Sequence, residues 1–191
     1  MKEILTSELS KAVKELRAGE RICLSGTVFT ARDAAHKRIF QLLDNNEKLP
    51  FDLKNAIIYY TGPTPAQNGA AVGSCGPTTS ARMDSFTPRL LDLGLRGIIG
   101  KGGRNDEVCK ALIRNCAVYF GAVGGAGALM ASHVLSAEEI AFHDLGCESV
   151  KRLVVDKLPL TVCIDCFGGN IFNDEKSKYA NCNTKETNGS K

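Results

Sequence analysis

Long apolar runs are missing from this chain of 191 residues, and with them any segment able to cross a membrane as a helix. The opening Met1-Lys2-Glu3-Ile4-Leu5 has neither the apolar stretch nor the small-residue cleavage site of an export signal, so the expected location is the cytoplasm. Blocks of like charge are also lacking. The net charge is +3 and the basic residues are scattered, so nucleic acid is not an implied partner, while a local cationic pocket remains compatible. Histidine occurs only three times, and His133 and His143 lack the spacing of a zinc protease and read as structural or surface residues. No internal repeat is visible. Eight cysteines run from Cys23 to Cys182 without a paired framework, and a cytosolic chain of this length does not need one. Only Cys163-Ile164-Asp165-Cys166 has ligand spacing. It falls in a strand-like stretch, where residues three apart point to opposite faces, so the two thiols are not expected to share a metal.

What is present suffices for one core. With 43% hydrophobic residues at this length the chain is expected to form a single domain over residues 1–172, followed by a loose polar tail at 173–191. Ser7 is placed to cap a helix carrying Leu9, Val13 and Leu16 on one face and closing at Gly19. Residues 21–28 read as a strand. Thr30, three residues before Asp33, reads as a capping-box-like start for a helix with Ile39, Leu42 and Leu43 as its core stripe. Arg32 and His36, at i and i+4, share a surface near that helix's start, where a cation and an imidazole can meet an anion together. Residues 56–60 read as a buried strand, 69–74 as an extended piece, 96–100 and 117–120 as strands, and 105–115 as a helix. Residues 126–134 and 138–142 read as short helical pieces, and 150–155 and 160–167 as two strands joined at Lys157-Leu158-Pro159. Alternating strands and helices argue an α/β domain with a mixed sheet.

The chain is organised around Gly73-Ser74-Cys75-Gly76-Pro77-Thr78-Thr79-Ser80-Ala81-Arg82-Met83-Asp84. Glycine and proline break the chain and permit close backbone approach, while Thr78, Thr79 and Ser80 supply hydroxyls and candidate caps. A helix starting near Ser80 would turn its free N–H groups toward the loop, and Arg82 would add a charge suited to a carboxylate or phosphate. The same residues fit an ordinary strand-turn-helix junction. Downstream, Pro88 either begins a second short helix with Thr87 or kinks one continuous helix ending at Gly94. Lys101 follows a strand, where open α/β sheets place binding residues. Two phosphate-loop look-alikes fail on spacing. Gly97-Ile98-Ile99-Gly100-Lys101-Gly102 has two residues between its glycines rather than four, and in the glycine run after Phe120 the third dinucleotide glycine is replaced by Met130.

The block GSCGPTTSARMDSFTPRLLDLGLRGIIGKG, residues 73–102, resembles the signature of the class I fumarase β subunit, which corresponds to the C-terminal domain of the single-chain enzymes and is shared with the tartrate dehydratase β subunit. Leu24-Ser25-Gly26-Thr27-Val28-Phe29-Thr30-Ala31-Arg32-Asp33-Ala34-Ala35-His36-Lys37 is similar to that family's first active-site helix, and Tyr60-Thr61-Gly62-Pro63-Thr64-Pro65-Ala66 to its next motif. The resemblance runs in order from about Glu3 to Phe172. It implies a swivelling β/β/α fold and a reversible hydration of fumarate to malate. It also implies a [4Fe–4S] cluster held by three cysteines of a partner α subunit, with no metal bound by this chain. By position, Arg32 and Arg82 match carboxylate-binding arginines, Thr78 the proposed base, Lys101 a cation near substrate and base, and His36 a histidine expected to act in acid/base or orienting work. The implied partners are the α subunit and a small dicarboxylate, in a homodimer or α2β2 assembly, with no nucleic acid and no membrane. Tartrate dehydratase, a hydratase of methylated fumarates and a non-catalytic dicarboxylate-binding module are the alternatives, of which Gly62-Pro63-Thr64-Pro65-Ala66 and Gly73-Ser74-Cys75-Gly76 favour fumarase.

Overall fold

The apolar runs near 57–60, 97–100 and 117–120 become β3 (Ile57–Tyr59), β4 (Gly97–Gly100) and β5 (Val118–Gly121) in the computed structural model, which describes residues 1–66 and 69–173. With β1 (Lys2–Leu5), β2 (Arg21–Thr30), β6 (Val134–Ala141) and β7 (Val150–Ile164) they form one seven-stranded mixed sheet in the order β1-β2-β3-β4-β5-β7-β6. Strands β2 to β5 run parallel to one another, and β7 is antiparallel to both β5 and β2. The second pairing of β7 closes β2-β3-β4-β5-β7 into a five-stranded barrel, so the chain is a single α/β domain with a mixed, closed sheet.

The central strands are buried on both sides, which is why they read as unbroken apolar runs rather than alternating ones. Ile58, Ile98 and Tyr119 face α2 (Asp33–Asp44), α3 (Thr87–Asp92) and α4 (Asp106–Arg114), packing with Ile39, Leu90 and Leu112. Tyr59, Ile99 and Phe120 face the other way, into a cluster with Leu9, Val13, Leu16 and Met130. Leu9 belongs to the single turn α1 (Leu9–Ala12), flanked by 3-10 turns, and Met130 to α5 (Gly127–Ser132). The helix read at 105–115 is α4, with Asn105 as its cap accepting the Val108 N–H at 2.9 Å.

Several local readings are corrected by long-range contacts. Residues 2–5 form a strand that the short, charged sequence does not announce, and Ser7 makes no capping bond. Thr30 is no cap either. Its hydroxyl donates to the Ser149 carbonyl at 3.2 Å and accepts the Lys151 N–H at 2.9 Å, pinning β2 to β7. Of the expected extended piece at 69–74, turns and bends are found instead. Residues 138–141 lie in β6, where pairing with β7 overrides the helix preference of glutamate and alanine. The two strands expected after residue 150 are one: Lys157 takes a positive φ of 49°, and Pro159 pairs with β2 between the stretches where β6 and β5 occupy the other edge of β7, so its missing N–H costs no ladder bond there. Pro88 sits in the first turn of α3, after a separate 3-10 turn at Ser80–Met83. Most of the expected tail lies outside the described residues.

Candidate active site

Because β2, β3 and β4 are parallel and in register, their carboxyl ends bring three junctions side by side: Ala31-Arg32 after β2, Tyr60-Thr61-Gly62 after β3 and Lys101 after β4. That is the end of an α/β sheet where ligands bind. The stretch 73–80 is laid across it. Thr64 N–H donates to the Ser74 carbonyl and Gly73 N–H to the Thr64 carbonyl, both at 3.0 Å, while Thr78 N–H donates to the Tyr60 carbonyl at 2.7 Å. Ser80 N–H donates to the Lys101 carbonyl at 2.9 Å, and the Ser80 hydroxyl accepts the Lys101 N–H at 3.1 Å. Gly73 is required by close approach, since a Cβ there would lie 2.5 Å from the Pro65 carbonyl oxygen. The approach is of chain to chain rather than chain to ligand.

Thr78, Arg82, Arg32 and Lys101 therefore gather on one rim. Thr78 is half-buried, Thr79, Arg82 and Lys101 are exposed, and Ser80 is buried. Arg82 Nε donates to Asp33 at 2.9 Å, and Arg32 lies 3.3 Å from Glu148, whose other oxygen accepts the Ala34 N–H at 3.1 Å. Lys101 forms no ion pair among the described residues. Counting these five side chains, three cations face two carboxylates, so the rim keeps a net positive charge and suits an anion. The helix-dipole contribution expected from residue 80 onward is slight, because the element is a single 3-10 turn without a side-chain cap.

His36 does not share a solvent-facing surface with Arg32. It is fully buried, with its ring centroid 5.3 Å from Tyr60 and 5.5 Å from Phe86, and Nδ1–H donates to the Arg32 carbonyl at 2.9 Å. Nε2 is buried without a partner. Burial holds the imidazole down at about 4; the Arg104 guanidinium pushes the same way, while the bond to Arg32 and the Asp33 carboxylate oppose it. The ring is thus neutral at pH 7 and orients the backbone of Arg32. Asp33, Glu148 and Ser80 complete the rim. Asp33 and Ser80 lie inside the motifs read from sequence, whereas nothing in the sequence ties Glu148 to Arg32.

Among the described residues no three histidine, cysteine, aspartate or glutamate side chains converge to hold a metal ion. The cysteines of the described residues do not fit the implied cluster. Cys163 packs in the helix-side cluster and Cys166 in the opposite one, and burial pushes the Cys75 and Cys163 thiols up to about 11, against the thiolate that iron needs. No helix of the described residues is long and apolar enough to cross a membrane. A shallow pocket of about 240 Å³ borders Lys101 with Gly121, Thr161 and Phe172. A cavity of about 430 Å³ lies beside Phe51 and Leu93, and one of about 530 Å³ lies between Pro63, Cys147 and Lys151, adjoining the Gly62 and Glu148 positions.

Comparison with known proteins places this rim in context. Residues 2–175 match the family model described as Fumarase C-terminus. The chain is 40% identical over 174 residues to a Methanocaldococcus jannaschii protein provisionally named L(+)-tartrate dehydratase subunit beta, covering 88% of this chain and 89% of that one. It is 33% identical over 186 residues to the L(+)-tartrate dehydratase subunit beta of Escherichia coli, covering 94% and 91%. Against the aerobic class I fumarate hydratase of Escherichia coli the identity is 34% over 179 residues, covering 89% of this chain but 33% of the relative.

Proposed function

The chain belongs to the fumarase C-terminus family, and from that premise we propose that it is the β subunit of a two-subunit hydro-lyase for a C4 dicarboxylate, with L(+)-tartrate the first substrate and malate or fumarate the second. The observation that carries this reading is the likeness to two proteins named as tartrate dehydratase β subunits, at 40% and 33% identity over 89% and 91% of their lengths. That favours tartrate over the fumarate expected from the loop motifs. The second reading keeps its support from residues 62–66 and 73–76.

In this proposal Arg32 and Arg82 bind the two carboxylates, each exchanging part of its pairing with Glu148 or Asp33 for the substrate. Lys101 supplies the third charge. Thr78, as its alkoxide, takes the proton from the carbon next to the one that loses hydroxide. The C–H electron pair becomes the double bond as the C–O bond breaks, and Thr78 then passes its proton to solvent, so that proton and hydroxide sum to one water lost. An aliphatic hydroxyl is a weak base, and the three cations with water excluded are what favour its alkoxide. His36 serves as an orienting group. The rim is open on its outer side, so exclusion of water requires a cover, which supports an α partner; the implied iron–sulfur cluster is assigned to that partner. A swivelling β/β/α domain that closes against it is part of the same proposal.

Co-expression with an α chain of the same family, followed by anaerobic assay on L(+)-tartrate, malate and fumarate, tests this reading. The expected result is highest kcat/KM for L(+)-tartrate in an αβ or α2β2 complex resolved by sedimentation. Preference for malate and fumarate would select the second reading, and dicarboxylate binding without turnover in the complex would indicate a binding module.

A further inference from the structure

Arg104 is absent from the rim, yet it stands behind all of it. Its side chain is 0% exposed. Nε donates to Asp84 at 2.6 Å and Nη2 to the Thr87 hydroxyl at 2.7 Å, while the other Asp84 oxygen accepts the Asn105 N–H at 2.9 Å. The guanidinium carbon lies 5.4 Å from the Tyr60 ring centroid and 5.1 Å from that of Tyr119. Its remaining nitrogen, Nη1, is buried without a partner, like Nε2 of His36, whose ring packs on the same Tyr60.

Every contact of Arg104 leads to a group on the rim. Asp84 follows Arg82 by two residues. The Tyr60 carbonyl holds Thr78 N–H. The Tyr119 hydroxyl lies 2.9 Å from the Ser80 hydroxyl and 2.8 Å from the Gly102 carbonyl, the two positions that fix Lys101. As a source of stability this arrangement is poor, because a buried ion pair is often matched or surpassed by apolar residues of the same volume. Its geometric return is better: a planar fork locks two segments at defined spacing, where apolar packing would let them slide.

We propose that Arg104, paired with Asp84, is the positioning residue that sets the spacing of Thr78, Arg82 and Lys101. It touches no substrate. The proposal rests on the hydro-lyase reading for its functional consequence, but its structural content can be measured without turnover. Arg104→Met alone would strand a buried carboxylate, so the principal variant is Asp84→Asn with Arg104→Met, which removes both charges together. In the full chain, NMR hydrogen exchange at the Ser80 and Lys101 amides is expected to speed up about tenfold or more, while Ile58 and Ile98 keep their protection. In the assembled complex kcat/KM for the preferred dicarboxylate falls about 100-fold with most of the loss in KM, as expected when a clamp is misplaced by an ångström. Thr87→Val, which removes the Nη2 partner together with that hydroxyl's bonds to the Tyr60 hydroxyl and the Met83 carbonyl while leaving the Arg104–Asp84 pair, shifts the same amides by a smaller factor and carries the test if the double variant does not fold. Unchanged exchange at Ser80 and Lys101, or faster exchange with wild-type kcat/KM, overturns the proposal. A wild-type complex inactive on L(+)-tartrate, malate and fumarate sinks the hydro-lyase reading instead, and the exchange measurement then decides the structural role by itself.

Discussion

Single side chains on the rim divide by exposure, and that division separates their roles. Thr78 is half-buried and its backbone is fixed on Tyr60, whereas its neighbour Thr79 is exposed, so one side chain stands half-shielded on a bonded backbone and the other is open to solvent. In the assembled enzyme Thr78→Val is therefore expected to lower kcat by roughly 100-fold or more with KM little changed, the loss expected for a positioned general base. Thr79→Val serves as the mild control. Exchange of the malate or tartrate carbon-bound proton with solvent deuterium reads the step directly, and wild-type exchange in Thr78→Val would move the base elsewhere. His36 predicts a different measurement. Its imidazole, held at about 4 against an ordinary 6.5, stays neutral in the fold where the unfolded chain is already protonated. The unfolded state thus binds the extra proton between these values, and stability falls as pH falls through that window, by about 3 kcal/mol in all. His36→Phe keeps a ring between Tyr60 and Phe86 and removes this contribution. Urea unfolding of both proteins at about pH 7 and about pH 4 checks it, and parallel losses in the two would show an imidazole that titrates normally.

At the level of elements, the site depends on how closely the 73–80 stretch and the end of β4 approach. A Cβ at Gly100 would fall on the Ser80 hydroxyl and within 3.2 Å of the Tyr60 ring, so the strand can carry only glycine there while Ser80 keeps its bonds to Lys101 and Tyr119. Gly100→Ala is expected to cost about 2 kcal/mol by overpacking. Adding Ser80→Ala relieves the clash, and the pair should cost less than the sum of the two single changes, a coupling that urea unfolding of all four proteins measures. Additive costs would mean that the two positions do not meet. The same crowding explains why one 3-10 turn, rather than a longer helix, follows Thr79: Ser80 is tied to β4 on both its backbone and its side chain, and Pro88, eight residues later, sits in the first turn of a new helix.

For the whole molecule, the barrel offers a rigid floor and no roof. Parallel strands end on one side, their loops are bonded to one another, and the cations face outward with Arg82 half-exposed. Isolated at micromolar concentration, the chain is accordingly expected to fold and to show no dehydratase or hydratase turnover. Anaerobic incubation with iron and sulfide should leave it without the visible absorption of a stoichiometric [4Fe–4S] cluster, and addition of an α chain should restore activity. A cluster formed on the pure β chain would reverse the division of roles between the subunits.

The apolar runs of β3, β4 and β5, the Asn105-capped α4 and the ordered blocks carrying Arg32, Thr78, Arg82 and Lys101 were all determined locally, because burial on both faces, capping and turn chemistry depend on neighbours in the chain. Tertiary structure alone decided the rest. The pairing of β7 with both β2 and β5 closes the barrel, and no local pattern says which strand edges meet. Thr30 finds Ser149 across 119 residues and Ala34 finds Glu148 across 114, so a threonine that looks like a cap becomes a clasp and a distant glutamate becomes the partner of Arg32. Helical spacing correctly puts His36 beside Arg32. Whether that face meets water or Tyr60 and Phe86 depends on what packs over it, and desolvation by those rings turns an expected surface imidazole into a buried neutral one.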